Sequence, residues 1–126
     1  MLDRKFEPYF KELKDKNVEI HCRSVFLQGL YFLDYNKLPT KLEVLMPSLV
    51  TLHQVAKDAK IEMVDLALNY VIENEFVDKV VIGVENAKQL EQSILSSMHW
   101  KEVNTIFDAI NSIEVENKEL LNPANW

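Results

Sequence analysis

Glycine occurs only twice in this chain, at Gly29 and Gly83, and each copy stands where an apolar or alternating stretch gives way to polar sequence. A glycine at such a junction lets the backbone turn with positive φ or lets a ligand come close to the main chain. In parallel α/β architectures ligands bind at the carboxyl ends of strands, so binding chemistry would gather at these two positions. Two ordinary turn glycines explain the same placement, and spacing alone favours that reading. The other reactive side chains offer less. His21, His53 and His99 share no metal-ligand spacing, and the single cysteine, Cys22, excludes both an internal disulfide and a CxxC metal site. Cys22 falls on the same side as Val18 and Ile20, as a packed thiol does, so no catalytic or metal-binding residue is assigned.

The elements that would carry these residues follow from periodicity. Glu7 to Lys16 puts Phe10, Leu13 and Lys14 on one helical side, behind a Pro8 suited to a first turn. Asn17 to Ser24 then alternates, with Val18, Ile20 and Cys22 facing one way and Glu19, His21 and Arg23 the other, which predicts a strand. After Leu38-Pro39, Thr40 and Glu43 have capping-box spacing ahead of a stripe through Leu42, Leu45, Met46, Leu49, Leu52, Val55, Ala56 and Ala59, with an interruption expected at Pro47. Between Glu62 and Asn74 the stripe Met63, Leu66, Ala67, Tyr70 and Val71 is widened by Val64, Leu68 and Ile72, so that helix should touch neighbours on two sides.

Val77 to Val84 holds a continuous apolar run, the pattern of a strand covered on both faces. Asn86 and Gln89 repeat the capping-box spacing and open a helix whose buried side should carry Leu90, Ile94 and Leu95. A last helix would hold Val103, Ile106, Phe107, Ile110 and Ile113, and the tail from Leu120 to Trp126 should dock without forming a regular element. Trp100 and Trp126 are expected to pack. This alternation argues for parallel strands joined by right-handed crossovers. Two strands make a poor sheet, so the chain reads as part of a larger α/β architecture.

Composition bounds the function. With 126 residues and 48% hydrophobic content the chain can bury one core, and a single domain over 1–126 is expected. The 14 basic residues are interspersed among 20 acidic ones, for a net charge of -6, which speaks against a nucleic-acid partner. No signal-type segment and no window near the ~20 apolar residues of a membrane span is present, so a cytoplasmic protein without a membrane partner is expected.

Two motifs carry a family resemblance. Arg23-Ser24-Val25-Phe26-Leu27-Gln28-Gly29, preceded by Val18-Glu19-Ile20, resembles the seventh strand and following loop of the aldo-keto reductases. The run from Val80 through Gly83-Val84-Glu85-Asn86 to Gln89 and Gln92 resembles that family's eighth strand and its helix. They occur in the family's order and separation, Ala67-Leu68-Asn69-Tyr70 resembles the intervening helix, and Leu121-Asn122-Pro123 to Trp126 resembles one subgroup's C-terminus. The resemblance spans essentially the whole chain. It implies an α/β fold, part of a (β/α)8 TIM barrel with two parallel strands and several helices, a mainly helical rearranged fragment being the alternative.

The resemblance further implies an oxidoreductase that uses NADPH or NADH on carbonyl substrates. Arg23 would stack its guanidinium on the nicotinamide, an ion pair with a neighbouring acid being the competing role. Ser24 would bond the pyrophosphate region, and Gln28 and Gly29 would line the loop above it. Gly83, Val84, Glu85, Asn86, Gln89 and Gln92 match the second half of the cofactor site, where unpaired N–H groups at a helix start attract phosphate. For Asn86 and Gln89, capping alone is the plainer role. Glu85 would repel an adenosine 2′-phosphate unless Lys88 compensates, which leaves the choice between NADPH and NADH open.

The family's Asp, Tyr, Lys and His set belongs to earlier strands, and Met1-Leu2-Asp3-Arg4 resembles the end of the sixth strand. The chain is therefore expected to be a C-terminal portion, inactive alone. Exposed strand edges would drive self-association into a homo-oligomer. A non-catalytic binding or assembly module, and one half of a split enzyme, are the alternative readings.

Overall fold

The computed structural model describes residues 1–98 and 106–126. Pro8 lies in a 3-10 turn, Glu7–Tyr9, where its missing N–H has no helical partner to lose, and the turn runs directly into α1 (Phe10–Asp15). β1 (His21–Arg23) and β2 (Lys79–Val81) form a parallel pair in which His21, Cys22 and Arg23 stand level with Lys79, Val80 and Val81. Both strands are shorter than the apolar stretches that announce them. Among the described residues each has one hydrogen-bonded neighbour, and residues beyond the paired register find no ladder partner.

The entry to this sheet is held by one side chain. The Asp78 carboxylate accepts the Ile20 N–H at 2.7 Å and receives Lys14 Nζ at 2.6 and 2.8 Å, while the Asp78 N–H donates to the Ile20 carbonyl at 2.9 Å. Helix α1 is thereby tied to the start of both strands.

The Thr40–Glu43 capping box does not form: Thr40–Leu45 is a 3-10 segment preceded by Pro39, and no side chain caps it. Pro47 instead sits in the first turn of α2 (Met46–Ala59), so it starts a helix as its fixed φ favours. The chain ahead of Pro47 tightens into 3-10 turns. Leu49, Leu52 and Ala56 of α2 are buried, and the helix ends at Lys60 in a left-handed conformation.

Helix α3 (Met63–Ile72) buries five consecutive residues, Leu66 to Tyr70, which is the two-sided packing its wide stripe predicts. Within it, Asn69 Nδ2 donates to the carbonyls of Asp65 at 2.8 Å and Ser96 at 2.6 Å, coupling α3 to α4 (Ala87–Ser96).

Two expectations of burial are corrected. Leu90, Ile94 and Leu95 are exposed at 45%, 53% and 56%, with Met98 beside them at 67%, and it is Ser93 and Ser96 that turn inward. The small side chains allow α4 to approach α3 closely, and the larger apolar ones are left on the outside. Likewise β2 is not covered on both faces, since Val81 is 51% exposed.

Helix α5 (Phe107–Asn111) is shorter than expected; Ile110 is buried, Ile106 precedes its first turn, Ile113 is buried just past its end, and Val103, with His99 and Trp100, lies outside the described residues. The tail is more regular than its asparagines and proline suggest. It forms two 3-10 turns, Lys118–Leu121 and Pro123–Asn125, buries Leu120 and Leu121, and anchors Trp126 through an Nε1–H bond to the Leu120 carbonyl at 2.7 Å. One apolar cluster joins Leu30, Tyr31, Leu45, Leu49, Leu52, Leu66, Ile110 and Leu121. Among the described residues no helix is long and apolar enough to cross a membrane.

Candidate functional site

Because Arg23 stands level with Val81, the next residues of the two chains, Ser24 and Ile82, leave the sheet at the same rim, with Gly83 one step on. Beyond β1 the backbone coils tightly. Leu27 N–H bonds Ser24 O at 2.8 Å and Gly29 N–H bonds Phe26 O at 2.9 Å, closing two successive turns. Ser24, Leu27, Gln28 and Gly29 have φ of 59°, 45°, 52° and 82°, all in the left-handed region. For each of the three residues that carry a Cβ this costs roughly 1–2 kcal/mol, and strain of this kind concentrates at ligand sites.

Positive φ is thus found at Gly29 but not at Gly83. Gly83 is free for another reason: a Cβ built there would meet nothing within 4 Å. Open space at a strand end leaves the main chain accessible to a ligand.

Arg23, Ser24, Gln28, Gly29, Gly83, Val84, Glu85, Gln89 and Gln92 line a single cleft of about 910 Å³ at this rim. Two segments roughly sixty residues apart thus meet around one space. Asn86 is not among the lining residues. It caps α4, its Oδ1 accepting the Gln89 N–H at 2.9 Å, and the Gln89 Oε1 in turn accepts the Glu85 N–H at 2.8 Å. This reciprocal lock fixes the Gln89 side chain across the mouth of the helix. The N–H groups of Ala87 and Lys88 have no acceptor among the described residues, leaving two donors at the positive end of a ten-residue helix.

The charged lining consists of Arg23, Glu62 and Glu85. None of the three side chains has an ion-pair or hydrogen-bond partner among the described residues, so the ion pair considered for Arg23 is absent there. The Ser24 hydroxyl likewise has no hydrogen-bond partner among the described residues. Lys88 does not line the cleft.

Sequence reasoning missed other residues of the lining, among them Phe26, Phe32, Glu62, Met63 and Val64. Phe26 and Phe32 lie 5.5 Å apart between ring centroids with a 54° tilt, giving the cleft an aromatic side. A signal for the remainder was present. A helix leading into a parallel strand runs antiparallel to it, so the N-terminus of α3 must stand near the carboxyl end of β2, and Glu62-Met63-Val64 is that N-terminus.

A second cleft, of about 920 Å³, opens along β1 and reaches Arg4, Glu7, Cys22, Tyr31 and Tyr70. Arg23 and Ser24 are the only expected site residues it shares. Its groups largely satisfy one another: Arg4 donates twice to Asn111 at 2.8 Å, and the Tyr70 hydroxyl shares the Asn111 Oδ1. Cys22 is half-buried, and burial pushes its thiol pKa up, as suits a packing role. His21 pairs with Glu19 at 2.9 Å and His53 packs on Tyr35 at 5.5 Å; among the described residues no group of His, Cys, Asp and Glu is arranged to hold a metal.

Comparison with known proteins agrees with the motifs. The model of the aldo/keto reductase family matches residues 1–114, while no curated protein and no solved structure matches the chain. That match takes in both rim segments and the helices between them. It covers most of the sequence, so the chain belongs to the aldo/keto reductase family, an oxidoreductase family of TIM-barrel fold that generally uses NAD(P)H.

Proposed function

We propose that this chain carries the part of an NAD(P)H site formed by the last two strands of an aldo/keto reductase barrel, without the Asp, Tyr, Lys and His set that transfers the proton. The observation carrying this reading is the convergence of two distant segments on one cleft at the carboxyl ends of parallel strands. The residues present suit a dinucleotide. Among the described residues Arg23 offers a cation without a partner and a flat surface, Ser24 a hydroxyl without a partner, and Phe26 and Phe32 an aromatic wall, while the start of α4, just outside the lining, adds two N–H donors without acceptors. The cofactor, when bound, supplies the hydride. Ser24 and the α4 N–H groups would hold its pyrophosphate, and Arg23 would orient the nicotinamide. In this reading the chain belongs to a reducing, cytoplasmic setting, to which its single half-buried thiol is suited.

The test is a calorimetric titration of the purified chain with NADPH and NADH, alongside Arg23→Ala. Saturable binding weakened by the substitution, with no turnover of an aldehyde, is expected. Turnover by the pure chain would refute the missing proton donor, and absence of any binding would refute the cofactor site.

A second reading, a non-catalytic assembly module derived from the same family, is favoured by the outward face of α4, where Leu90, Ile94, Leu95 and Met98 are exposed together. It would make the chain a homo-oligomer joined through that face and the open strand edges.

A further inference from the structure

The edge of β1 turned away from β2 lies open along the second cleft, and we infer that this groove takes an extended peptide segment of a partner protein. The segment adds to β1 as a third strand and carries a basic residue that pairs with Glu7. The groove is separate from the cofactor cleft, with which it shares only Arg23, Ser24 and Val25.

In a strand the N–H and C=O of one residue point to the same side, and those of the next residue to the other. Ile20 faces β2, since its carbonyl accepts the N–H groups of Asp78 at 2.9 Å and Lys79 at 3.3 Å. With His21 level with Lys79, Cys22 also faces β2, and His21 and Arg23 turn their main-chain groups to the free edge. Those N–H and C=O groups meet no partner among the described residues. The cleft runs where they point. Successive side chains of a strand lie on opposite faces, so a cleft touched by every residue from Ile20 to Val25 follows the edge of the strand and not one face of it. Its volume of about 920 Å³ leaves room for another segment beside β1.

Main-chain bonds alone would accept any extended segment, so the lining decides which one. Phe6 and Tyr9, exposed at 63% and 57%, offer apolar surface to alternate side chains of the incoming strand. Charge decides the rest. Asp3 pairs with Lys5, Glu12 with Lys16 and His21 with Glu19, while Arg4 is spent on Asn111. The Arg23 side chain also lines the cofactor cleft. Glu7 is the remaining charge: its carboxylate is half-buried and has no ion-pair or hydrogen-bond partner among the described residues. Burial raises its pKa, an effect opposed by Arg4 and the N-terminal amine, and its charge is near enough to Cys22 to raise the thiol as well. Glu7 thus stands beside the free edge. A lysine or arginine on the added strand would give this carboxylate the partner it lacks, whereas an acidic segment would face it with a like charge.

The probe is a synthetic peptide, acetyl-Thr-Val-Thr-Val-Lys-Val-Thr-Val-amide, labelled for fluorescence anisotropy and titrated with the intact 126-residue chain. Saturable binding is expected. Amide hydrogen exchange in the complex should slow at His21 and Arg23 and change little at Cys22, whose N–H already faces β2. The same peptide with glutamate in place of the lysine should bind about fivefold more weakly. Proline in place of the central valines should abolish binding, because it removes the donors a ladder needs. Glu7→Gln should bind the lysine and glutamate peptides alike; if that variant fails to fold, the peptide pair and the exchange pattern on the native chain still decide. No saturable binding of the lysine peptide, equal binding of the proline or glutamate peptide, or slowed exchange at Cys22 in place of His21 and Arg23 overturns the proposal. So does slowing at His21 and Arg23 that grows with the chain's own concentration before any peptide is added, which would assign the edge to a second copy.

Discussion

Gly83 is a residue whose identity the fold does not demand. Its φ is not positive and no atom crowds the place of a Cβ, whereas Gly29 sits at φ 82° and would be strained by any side chain. Gly83→Val should therefore melt within a few degrees of the native chain while losing most of its dinucleotide affinity, because the new side chain fills the approach to the strand end. Unchanged affinity by titration would count against a ligand at that rim. Asp78 makes a different kind of prediction. Its carboxyl is held below its ordinary value of 3.8, first by the Ile20 N–H and then by Lys14. The folded pKa lies under the unfolded one, so the stabilisation is present above about pH 4 and is lost as pH falls through the folded value. Asp78→Asn should lower the melting temperature at neutral pH, and the gap to the native chain should close in acid; a gap independent of pH would show that the contact contributes through shape alone.

At the scale of elements, α4 carries the clearest test. Asn86 caps it through the Gln89 N–H, and Asn86→Ala should cost about 1 kcal/mol by denaturant melting, with the Glu85–Gln89 lock loosened as a consequence. The same helix shows how far sequence reading reaches. Its start was legible, because a capping residue declares itself locally by type and spacing. Its buried face was not: Leu90, Ile94 and Leu95 point outward, and Ser93 and Ser96 face α3. Apolar periodicity identifies a stripe that needs cover, not which neighbour the chain supplies to cover it. Pro47 teaches a similar lesson, since a proline expected to break a helix stands in its first turn, the one place where the missing N–H is harmless. Strand direction and rim, by contrast, followed from the alternation of elements, and Ser24 and Gly83 emerge together as parallel pairing requires.

At the scale of the whole molecule, one apolar cluster runs from the N-terminus to Leu121, while among the described residues the α4 face is exposed and each strand has a single neighbour. A chain with this surface should self-associate. Sedimentation at rising concentration is expected to show a mass above that of one chain, reduced by Ile94→Lys together with Leu95→Lys; one monomeric species at every concentration would leave the assembly reading without support.

The sequence alone determined the family, the parallel arrangement of two strands, and half of the residues that line the cleft, because motif residues and periodicity are local properties of the chain. Only the tertiary structure decided that those side chains share one space, that Asn86 serves as a cap outside its wall, that Glu62 at the start of α3 joins the lining, and that Arg23 and Glu85 have no charge partner among the described residues. Those outcomes depend on how separate elements approach one another, and the chain's local pattern does not encode the distance between them.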